Sequence, residues 1–483
     1  MPIQATPARP VLQYRWKLEK DGADSILVHY GLRNYGRHTQ RAIKLEPAAA
    51  EMIRTLDGKR GIPDLSSDPG ARTAIEDLVS QGILVDAPAR RKPATPETRQ
   101  VCVKCVNDDY ILPGLEFDER GVCAFCQCYE HSKGLNALTA NAMTEEDLLD
   151  AAGRKTGSRF DAMVLFTGGK DSSFLLWYLG KKLELRVLAA FWNMPYTSDS
   201  ARDNIRRAMK RLPNVEFIER TVAWDVIKSA MCGQLHRVGM PCLCPTVAFA
   251  LFYPLAVQEK IPMILAGIEE VQMAIMEYVF PKGAKTPAAG PPSPRQQTLS
   301  FLKYRAMPGP IRPPVAYDME LANYHASIKE QLAPLYAPLE EILRAADANP
   351  GMEIPLIKRL NTNKSYGNWQ DVVTLLQREL DWQMPPGQKS MLHTSCRIEQ
   401  VKDYMQFMRF RNMRTAFFPQ SIVEISASVH FGLLPRDQAL HQLDDLGYGK
   451  PPDVLFSMLA DLGITDQDID RSTDELHWAL REE

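Results

Sequence analysis

The residues Thr167–Ser173 read Thr-Gly-Gly-Lys-Asp-Ser-Ser, a set of residue types that suits the binding of an anion. Two adjacent glycines let the backbone approach an anion without a side chain in the way. A helix that starts after them adds unpaired N–H groups and the positive end of its dipole. Lys170 contributes a positive charge, and the carboxylate of Asp171 can hold Mg²⁺ or cap the helix. The segment therefore predicts a phosphate-binding loop, which we call the phosphate loop.

The phosphate loop differs from the common nucleotide-binding pattern G-x-x-x-x-G-K-[ST], so it predicts a different phosphate chemistry. The plainer alternative is a helix that Asp171 or a serine merely caps. The preceding run Ala162–Phe166 is short and apolar, as in a buried strand, and Ser172–Leu183 has a helical pattern. This order of strand, glycine turn and helix places an anion at the carboxyl end of a parallel sheet.

Two Cys-x-x-Cys pairs stand 17 residues apart, between Cys105 and Cys123. Such pairs can each give two thiolates to one tetrahedral Zn²⁺ ion, so the spacing predicts a zinc ribbon. The alternatives are an Fe–S cluster and a redox dithiol. Cys128 also extends the second pair, which leaves the choice among the last three cysteines open. The predicted metal ligands are Cys102, Cys105, Cys123 and Cys126.

A second group of cysteines, Cys232, Cys242 and Cys244, follows the phosphate loop in sequence. Cys242 and Cys244 precede the long apolar helical pattern Val247–Gln258, and a thiol near a helix N-terminus has a stabilised thiolate. These cysteines are candidates for carrying sulfur or binding an Fe–S cluster, and the alternative is that they pack as small buried side chains. Cys396 stands alone in the sequence.

The bulk properties exclude several classes of protein. The chain has 483 residues, 45% of them hydrophobic, and a formal net charge of −2. This length predicts about two to four domains. The near-neutral net charge gives no sign of the excess positive charge that is typical of nucleic-acid-binding proteins. The sequence contains no apolar run of the roughly 18 residues that a membrane span needs, and its N-terminus does not resemble a signal peptide. We therefore expect a cytoplasmic protein with no membrane association and no nucleic-acid partner.

Four regions differ in their patterns of strands and helices. Residues 1–90 predict a small module of strands and helices in the order of a winged helix, and 91–150 a linker followed by the zinc ribbon. Residues 151–314 alternate strands and helices, which predicts an α/β domain with a parallel sheet covered on both faces. A Pro-rich and Gly-rich stretch, Pro281–Pro294, predicts a mobile loop or lid. Residues 315–483 are mostly helical in pattern.

The phosphate loop resembles the SGGxDS loop of the PP-loop ATP pyrophosphatases, with Thr167 in place of the first serine. The resemblance implies an adenine nucleotide alpha hydrolase-like fold that binds the pyrophosphate of ATP and transfers AMP to a substrate oxygen. Lys170, Asp171, Cys242 and Cys244 are then the catalytic candidates, with ATP, Mg²⁺ and Zn²⁺ as cofactors. The implied nucleotide contacts are Thr167, Gly168, Gly169, Lys170, Asp171, Ser172, Ser173, Phe191, Asn193 and Gly267.

The order of motifs from about residue 100 to about 475 resembles the N-acetyl sugar amidotransferases. The matching motifs are Cys102–Val106, Phe117–Cys126, Gly168–Ser172 and Arg436–Leu440. The resemblance implies that ATP adenylates an amide oxygen and that ammonia then displaces AMP. A separate glutaminase supplies ammonia in such systems, and this chain has no evident glutaminase domain of its own.

Two features depart from that family and leave the acceptor open. Residues 12–87 resemble a PqqD-type peptide-recognition module, which implies a leader peptide or carrier protein as partner. His393–Cys396 also departs from the expected Lys-His-Tyr-Glu-Ser sequence; His393 is a candidate acid or base, with a structural role as the alternative.

Three hypotheses for the function follow. The first is an amidotransferase acting on an N-acetyl sugar or a peptide or other natural-product precursor. The second is a sulfur transferase that uses a sulfur donor and Cys242 or Cys244 to make a thioamide or a thiolated base. The third is a binding protein that retains the fold, which the intact phosphate loop disfavours. A homodimer is one assembly that the sequence allows.

Overall fold

The computed structural model describes residues 7–21, 23–32, 41–61, 68–131, 143–153, 157–238, 240–267, 271–272, 292–310, 317–360 and 367–463. Most of the predicted loop Pro281–Pro294 lies outside these ranges, at residues 281–291. None of the helices in the described part of the chain is long and apolar enough to cross a membrane.

The N-terminal module contains the strands and helices that the sequence predicts. Three antiparallel strands, β2 (Trp16–Asp21), β3 (Asp24–His29) and β4 (Arg41–Leu45), form one sheet. A separate antiparallel pair joins β1 (Pro10–Leu12) to β5 (Leu84–Asp86). The helices α1 (Pro47–Arg54) and α2 (Pro69–Ser80) complete the module. Its apolar core is separate from that of the rest of the chain, and the winged-helix class stays a prediction.

The centre of the molecule is a five-stranded parallel sheet with the strand order β10-β9-β6-β7-β8. Its strands are β6 (Ala162–Leu165), β7 (Val187–Trp192), β8 (Val215–Arg220), β9 (Met263–Ala266) and β10 (Leu356–Lys358). All residues of β6 and β7 are buried, as expected of strands covered on both faces. The sheet has a topological switch point at β6: β7 and β8 lie on one side of it, and β9 and β10 lie on the other side. Open α/β sheets bind ligands at such a switch point.

Helices surround this sheet and build the C-terminal region. Between the N-terminal module and β9 they are α3 (Ala124–His131), α4 (Glu145–Gly153), α5 (Lys170–Trp177), α6 (Asp199–Arg211), α7 (Trp224–Val238) and α8 (Thr246–Gln258). After β9 they are α9 (Pro294–Ala306), α10 (Tyr317–Gln331), α11 (Ala333–Ala348), α12 (Trp369–Leu380), α13 (Ile398–Arg411), α14 (Gln420–His430), α15 (Arg436–Leu446) and α16 (Asp453–Asp461).

The sheet crosses the domain boundary that we placed after residue 314. β10 pairs in parallel with β9, although 89 residues (267 to 355) separate the two strands in sequence. The C-terminal helices pack into the same apolar core as the sheet. The predicted α/β and helical regions therefore share one core.

Arg15 attaches the N-terminal module to the C-terminal helices. Its guanidinium lies 4.2 Å from the ring centroid of Phe410, and Nη1 donates a hydrogen bond of 2.8 Å to the Phe410 carbonyl. Nε donates to the carbonyl of Tyr30 at 2.7 Å. The carbonyls at the end of α13 lack partners within the helix, so Arg15 caps this helix from another module.

Candidate functional site

The phosphate loop joins β6 to α5 at the switch point of the sheet. The Ser172 hydroxyl accepts a hydrogen bond of 3.2 Å from the Thr167 N–H and lies 3.0 Å from the Thr167 hydroxyl. The N-cap residue of α5 is Gly169, which offers no side chain to the first N–H groups of the helix. The loop is thus held by its own hydroxyls while the start of α5 faces the interior of a cavity.

Glycine is required at two positions around the loop. Gly168 has a φ of +75°, and a Cβ there would lie 2.3 Å from the carbonyl oxygen of Ala201. A Cβ on Gly267, at the end of β9, would lie 2.7 Å from the backbone nitrogen of Ser172. Gly168 is therefore required by its positive φ and by the carbonyl of Ala201 in α6, and Gly267 by the close packing of the backbone after β9 against the first turn of α5.

Lys170 and Asp171 begin α5 next to each other. Lys170 is 2% exposed; its ammonium forms an ion pair with Asp171 and lies 4.8 Å from the ring centroid of Trp369. Its backbone N–H donates a hydrogen bond of 3.0 Å to the Thr394 hydroxyl. The paired charges are suited to neutralising a phosphate and to holding a cation beside it.

The phosphate loop opens into a cavity of about 1180 Å³. Pockets for small molecules typically have about 300–1,000 Å³, so this cavity has room for a nucleotide and part of an acceptor. Seven of the ten predicted nucleotide contacts line it: Thr167, Gly169, Lys170, Asp171, Ser172, Phe191 and Gly267.

The other three predicted contacts do not line the cavity. The carbonyl of Gly168 accepts hydrogen bonds from the side chains of Trp382 and Asn204, and these bonds hold the glycine turn in place. Ser173 is buried, and its hydroxyl has no hydrogen-bond partner among the residues that the structure describes. The Asn193 side chain donates to Glu219 at 2.7 Å and accepts from Arg202. The Asn193 amide is therefore directed to β8 and α6, while its neighbours Trp192 and Met194 line the cavity.

Cys242 and Cys244 line the same cavity as the phosphate loop, and so does Cys396. We call these three residues the cavity thiols. Tyr324 fixes the first two, because its hydroxyl donates to the carbonyls of Cys242 and Cys244 at 2.8 and 3.2 Å. Cys396 is carried to the site by a bridge to Thr197, in the loop after β7. We did not predict Cys396 from the sequence, where it has no cysteine neighbour.

The cavity thiols are not preformed thiolates. Burial raises the pKa of Cys242, although the charge of Lys402 opposes the shift. The pKa of Cys244 rises well above its ordinary value through burial and then through the nearby Cys242. Burial and the charge of Glu399 likewise raise the pKa of Cys396. The pKa shifts of Cys242 and Cys244 therefore run opposite to the expectation of a stabilised thiolate, because desolvation is the largest cause for both thiols.

The first turn of α13 adds charged groups to the wall beside the thiols. Glu399 and Lys402 line the cavity, and α14 contributes Glu424. Burial and then the charge of Asp171 raise the pKa of Glu424 to about 7. A carboxyl group that titrates near neutrality inside a cavity is suited to proton transfer.

His393 is buried in an ion pair and keeps its charge. Its Nε2 lies 2.5 Å from Asp403 Oδ2, and its Nδ1 lies 3.6 Å from Glu399 Oε2. Burial alone would lower the pKa of His393, but the charges of Asp403 and Glu399 outweigh burial and raise it to about 10. A cation at neutral pH cannot act as a base, so the geometry favours a structural and electrostatic role.

The four predicted metal ligands come together as a separate site, the four-cysteine cluster. The sulfur atoms of Cys102, Cys105, Cys123 and Cys126 all lie within 4.8 Å of one another, and all four residues are buried. Backbone N–H groups of Lys104 and Asn107 donate to the sulfurs of the first pair at 3.4 Å. Four convergent thiols with N–H donors fit a tetrahedral metal ion or an Fe–S cluster.

The four thiols cannot ionise independently at these distances. Hydrogen bonds from Cys105, Cys123 and Cys126 hold the pKa of Cys102 far below its ordinary range. Burial raises the pKa of Cys105 well above its ordinary range. A bound cation removes this conflict, because it replaces the protons and favours every thiolate at once.

The surroundings of the cluster differ from the predicted ribbon. Within the described residues, 101–123 form two isolated bridges, Val101 with Asp108 and Phe117 with Cys123, and no longer ladder. Helix α14 then completes the site: the Nε2 of His430 lies 3.0 Å from the sulfur of Cys126. The other end of α14 reaches the cavity through Glu424. One helix thus connects the four-cysteine cluster with the cavity wall.

Comparison with protein-family models and with curated proteins found no match. Among solved structures, this chain matches a U34-tRNA thiolase, NcsA from Methanococcus maripaludis, with its [4Fe-4S] cluster. The TM-score is 0.29 and the identity 13%, over 72% of this chain and 86% of that chain. At this TM-score the similarity does not indicate an activity for this chain.

Proposed function

We propose that this chain is an AMP-forming PP-loop enzyme that activates a carbonyl or amide oxygen with ATP and replaces the oxygen with sulfur. The observation that carries the proposal is the convergence of three thiols from distant segments on the cavity of the phosphate loop. Binding of a nucleotide alone does not require the thiols of Cys242, Cys244 and Cys396. A thiol beside an activated carbonyl is a nucleophile or a carrier of one.

In the first step the acceptor oxygen attacks the α-phosphorus of ATP, the bond to the bridging oxygen breaks, and pyrophosphate leaves. Backbone N–H groups of Gly169 and Ser172 would hold the pyrophosphate. Lys170 would neutralise charge that develops on the leaving group, and Asp171 would hold Mg²⁺, which would compensate the remaining phosphate charge.

Before the second step a persulfide donor transfers its terminal sulfur to a cavity thiol and leaves as a thiol. The terminal sulfur of the resulting cysteine persulfide then attacks the activated carbon, and AMP leaves with the oxygen. A second cavity thiol then attacks the cysteine sulfur of the resulting S–S bond. The electron pair of that bond goes to the sulfur on the acceptor, which becomes a thiocarbonyl, and the two cysteines are left as a disulfide. A dithiol reductant must return them to thiols.

Nitrogen in place of sulfur is the second candidate. The raised pKa values of the cavity thiols favour it, because a neutral thiol is a poor nucleophile. The adenylation step would be the same, with ammonia displacing AMP to give an amidine. This candidate requires an ammonia-supplying partner such as a glutaminase, and the sequence resemblance to N-acetyl sugar amidotransferases supports it.

The proposal also includes roles for a metal at the four-cysteine cluster and for the N-terminal module. Zn²⁺ at the four-cysteine cluster would have a structural role, because all four ligands are buried and leave no open position. The N-terminal module would bind a leader peptide or carrier protein by adding a strand to a sheet edge, such as that of β2 or β4.

The thiol step can be tested without knowing the acceptor. The reduced protein is treated with inorganic polysulfide, the accessible thiols are alkylated, and the cysteine peptides are analysed by mass spectrometry. We expect one of the cavity thiols to carry an added sulfur atom of about 32 Da. Cys232 is the internal control, because it does not line the cavity. Addition at Cys232 alone, or equal addition at all cysteines, would contradict the sulfur-carrying role.

A further inference from the structure

One face of α9 forms the wall of the cavity beside the thiols. Phe301, Tyr304 and Arg305 all line the cavity. Residues three and four positions apart lie on the same face of a helix, so the three side chains form one surface. Leu302 and Ala306, each one position after a cavity-lining residue of α9, are buried in the core. The sequence thus places a positive charge on an otherwise aromatic cavity wall.

Arg305 has no charged partner in the part of the chain that the structure describes. Its guanidinium carbon lies 3.6 Å from the ring centroid of Phe301, and Nη1 donates to the Phe301 carbonyl at 3.2 Å. Its Nε is buried, and no described residue forms a hydrogen bond with it. The ionisable neighbours that act on Arg305 are the hydroxyls of three tyrosines: Tyr304, Tyr324 and Tyr336.

Arg305 is half-buried, and a guanidinium without a carboxylate is costly there, because it has lost part of its water and gained no opposite charge. Burial lowers the pKa of Arg305 to about 10, so the group is still protonated at neutral pH. Nearby His325 gives no compensation: burial and then the charge of Arg305 lower the pKa of His325 to about 3. An anion in the cavity would remove this cost.

We propose that Arg305 is the anion-binding residue of an acceptor subsite, and that the acceptor carries a carboxylate or phosphate group on an apolar body. Phe301 and Leu321 supply apolar surface to the same cavity. The subsite adjoins the thiols, because Tyr324 of the neighbouring helix α10 holds the carbonyls of Cys242 and Cys244. The phosphate loop belongs to the β6–α5 turn and Arg305 to α9, so the subsite and the phosphate loop are built from different elements of the same cavity. The inference deepens the proposed function, on which the word acceptor rests.

The test is a calorimetric titration of the full chain with benzoate, phenyl phosphate and the neutral analogue benzamide. A non-hydrolysable ATP analogue at saturation occupies the phosphate loop throughout. We expect at least one of the two anions to bind about tenfold to a hundredfold more tightly than benzamide, as for a charge-assisted hydrogen bond. Tighter binding of benzoate would identify a carboxylate acceptor, and tighter binding of phenyl phosphate a phosphorylated one.

Three variants of α9 give the controls. Arg305→Met should abolish the preference for the anion, and Arg305→Lys should keep part of it. Lys303→Met removes a charge from the same helix, where Lys303 pairs with Asp347 at the surface, and should leave anion binding unchanged. Equal binding of benzoate, phenyl phosphate and benzamide, or an unchanged preference in Arg305→Met, would overturn the proposal. A loss of affinity for the ATP analogue in Arg305→Met would assign Arg305 to the nucleotide instead. None of these titrations requires turnover. The proposal of an anion subsite can therefore be refuted while AMP formation is confirmed, and AMP formation can be refuted while the anion subsite is confirmed.

Discussion

The four-cysteine cluster and the cavity thiols use the same side chain in two different environments. In the cluster the sulfurs of Cys102, Cys105, Cys123 and Cys126 lie within 4.8 Å of one another and are buried. Cys242, Cys244 and Cys396 are partly buried and line a cavity that also contains the phosphate loop. Among the described residues, the four-cysteine cluster is a group compact enough to share one metal ion, and the cavity thiols are not.

The two arrangements of thiols suit different functions. Convergent buried sulfurs with no open position suit a metal that stabilises the fold. Dispersed thiols around a cavity can each meet a ligand, and their raised pKa values keep them protonated until a charged group enters. The comparison predicts that changes in the cluster act on metal content and stability, and that changes in the cavity act on chemistry.

The largest expected effect is that of Cys102→Ser. We expect loss of the bound metal and unfolding of the segment around residues 100–130, because metal binding and folding are coupled. The measurements are metal content by mass spectrometry and thermal unfolding. AMP formation should fall as well, because α14 connects His430 at the cluster to Glu424 at the cavity. The matched control is Cys128→Ser, a buried cysteine outside the cluster; unchanged metal content in Cys102→Ser would refute the metal site.

Asp171→Ala should have the next largest effect, restricted to catalysis. We expect AMP formation to fall by about 10²–10³-fold, as for the loss of an electrostatic group at a transition state. Metal content and thermal stability should stay at the wild-type level. Asp203→Ala is the control, because Asp203 is an exposed carboxylate that pairs with Arg206. Normal turnover in Asp171→Ala would contradict the assignment of the phosphate loop.

Cys396→Ser tests whether the cavity thiols take part in the chemistry. If the thiols carry sulfur, this variant should still cleave ATP to AMP, while sulfur transfer falls by about tenfold or more, since a missing nucleophile removes a covalent step. Cys232→Ser serves as the control for the loss of one cysteine outside the cavity. If instead nitrogen is transferred, Cys396→Ser should leave product formation with ammonium unchanged, so the variant separates the two candidates.

His393→Gln should have the smallest effect on the chemistry and a clear effect on stability. Leaving Asp403 buried without its partner should cost about 3 kcal/mol of unfolding free energy. The folded pKa of His393 is raised from 6.5 to about 10, so its contribution is complete below pH 6.5 and is lost as the pH rises toward 10. Denaturant unfolding across this range should therefore show the wild type and the variant converging at high pH. A gap that widens with pH would contradict the ion pair.

The sequence predicts most of the parallel sheet, because its signals are local. Buried strands such as Ala162–Leu165 are short apolar runs, and the glycine turn that follows requires small residues for steric reasons. The Cys-x-x-Cys pairs are equally local, since each pair is a single turn. β10 was not predicted, because three residues in Leu356–Lys358 carry too weak a pattern and the pairing with β9 is long-range.

The rest of the candidate site depends on tertiary contacts that no local pattern records. Cys396 reaches the cavity because the chain around it pairs with the loop after β7, about 200 residues earlier. Lys402 and Glu424 lie on separate helices that pack against the same cavity. The family resemblance implies that Asn193 contacts the nucleotide, but its amide is paired with Glu219 and Arg202.

The most direct measurement is the cleavage of ATP labelled at its α-phosphorus by the purified protein with Mg²⁺, candidate acceptors, and either polysulfide with a dithiol reductant or ammonium. We predict AMP with an equal amount of pyrophosphate, together with a change in acceptor mass of about +16 for sulfur or about −1 for nitrogen, as the exchange of one carbonyl oxygen requires. Formation of ADP and phosphate without AMP would contradict an adenylating phosphate loop.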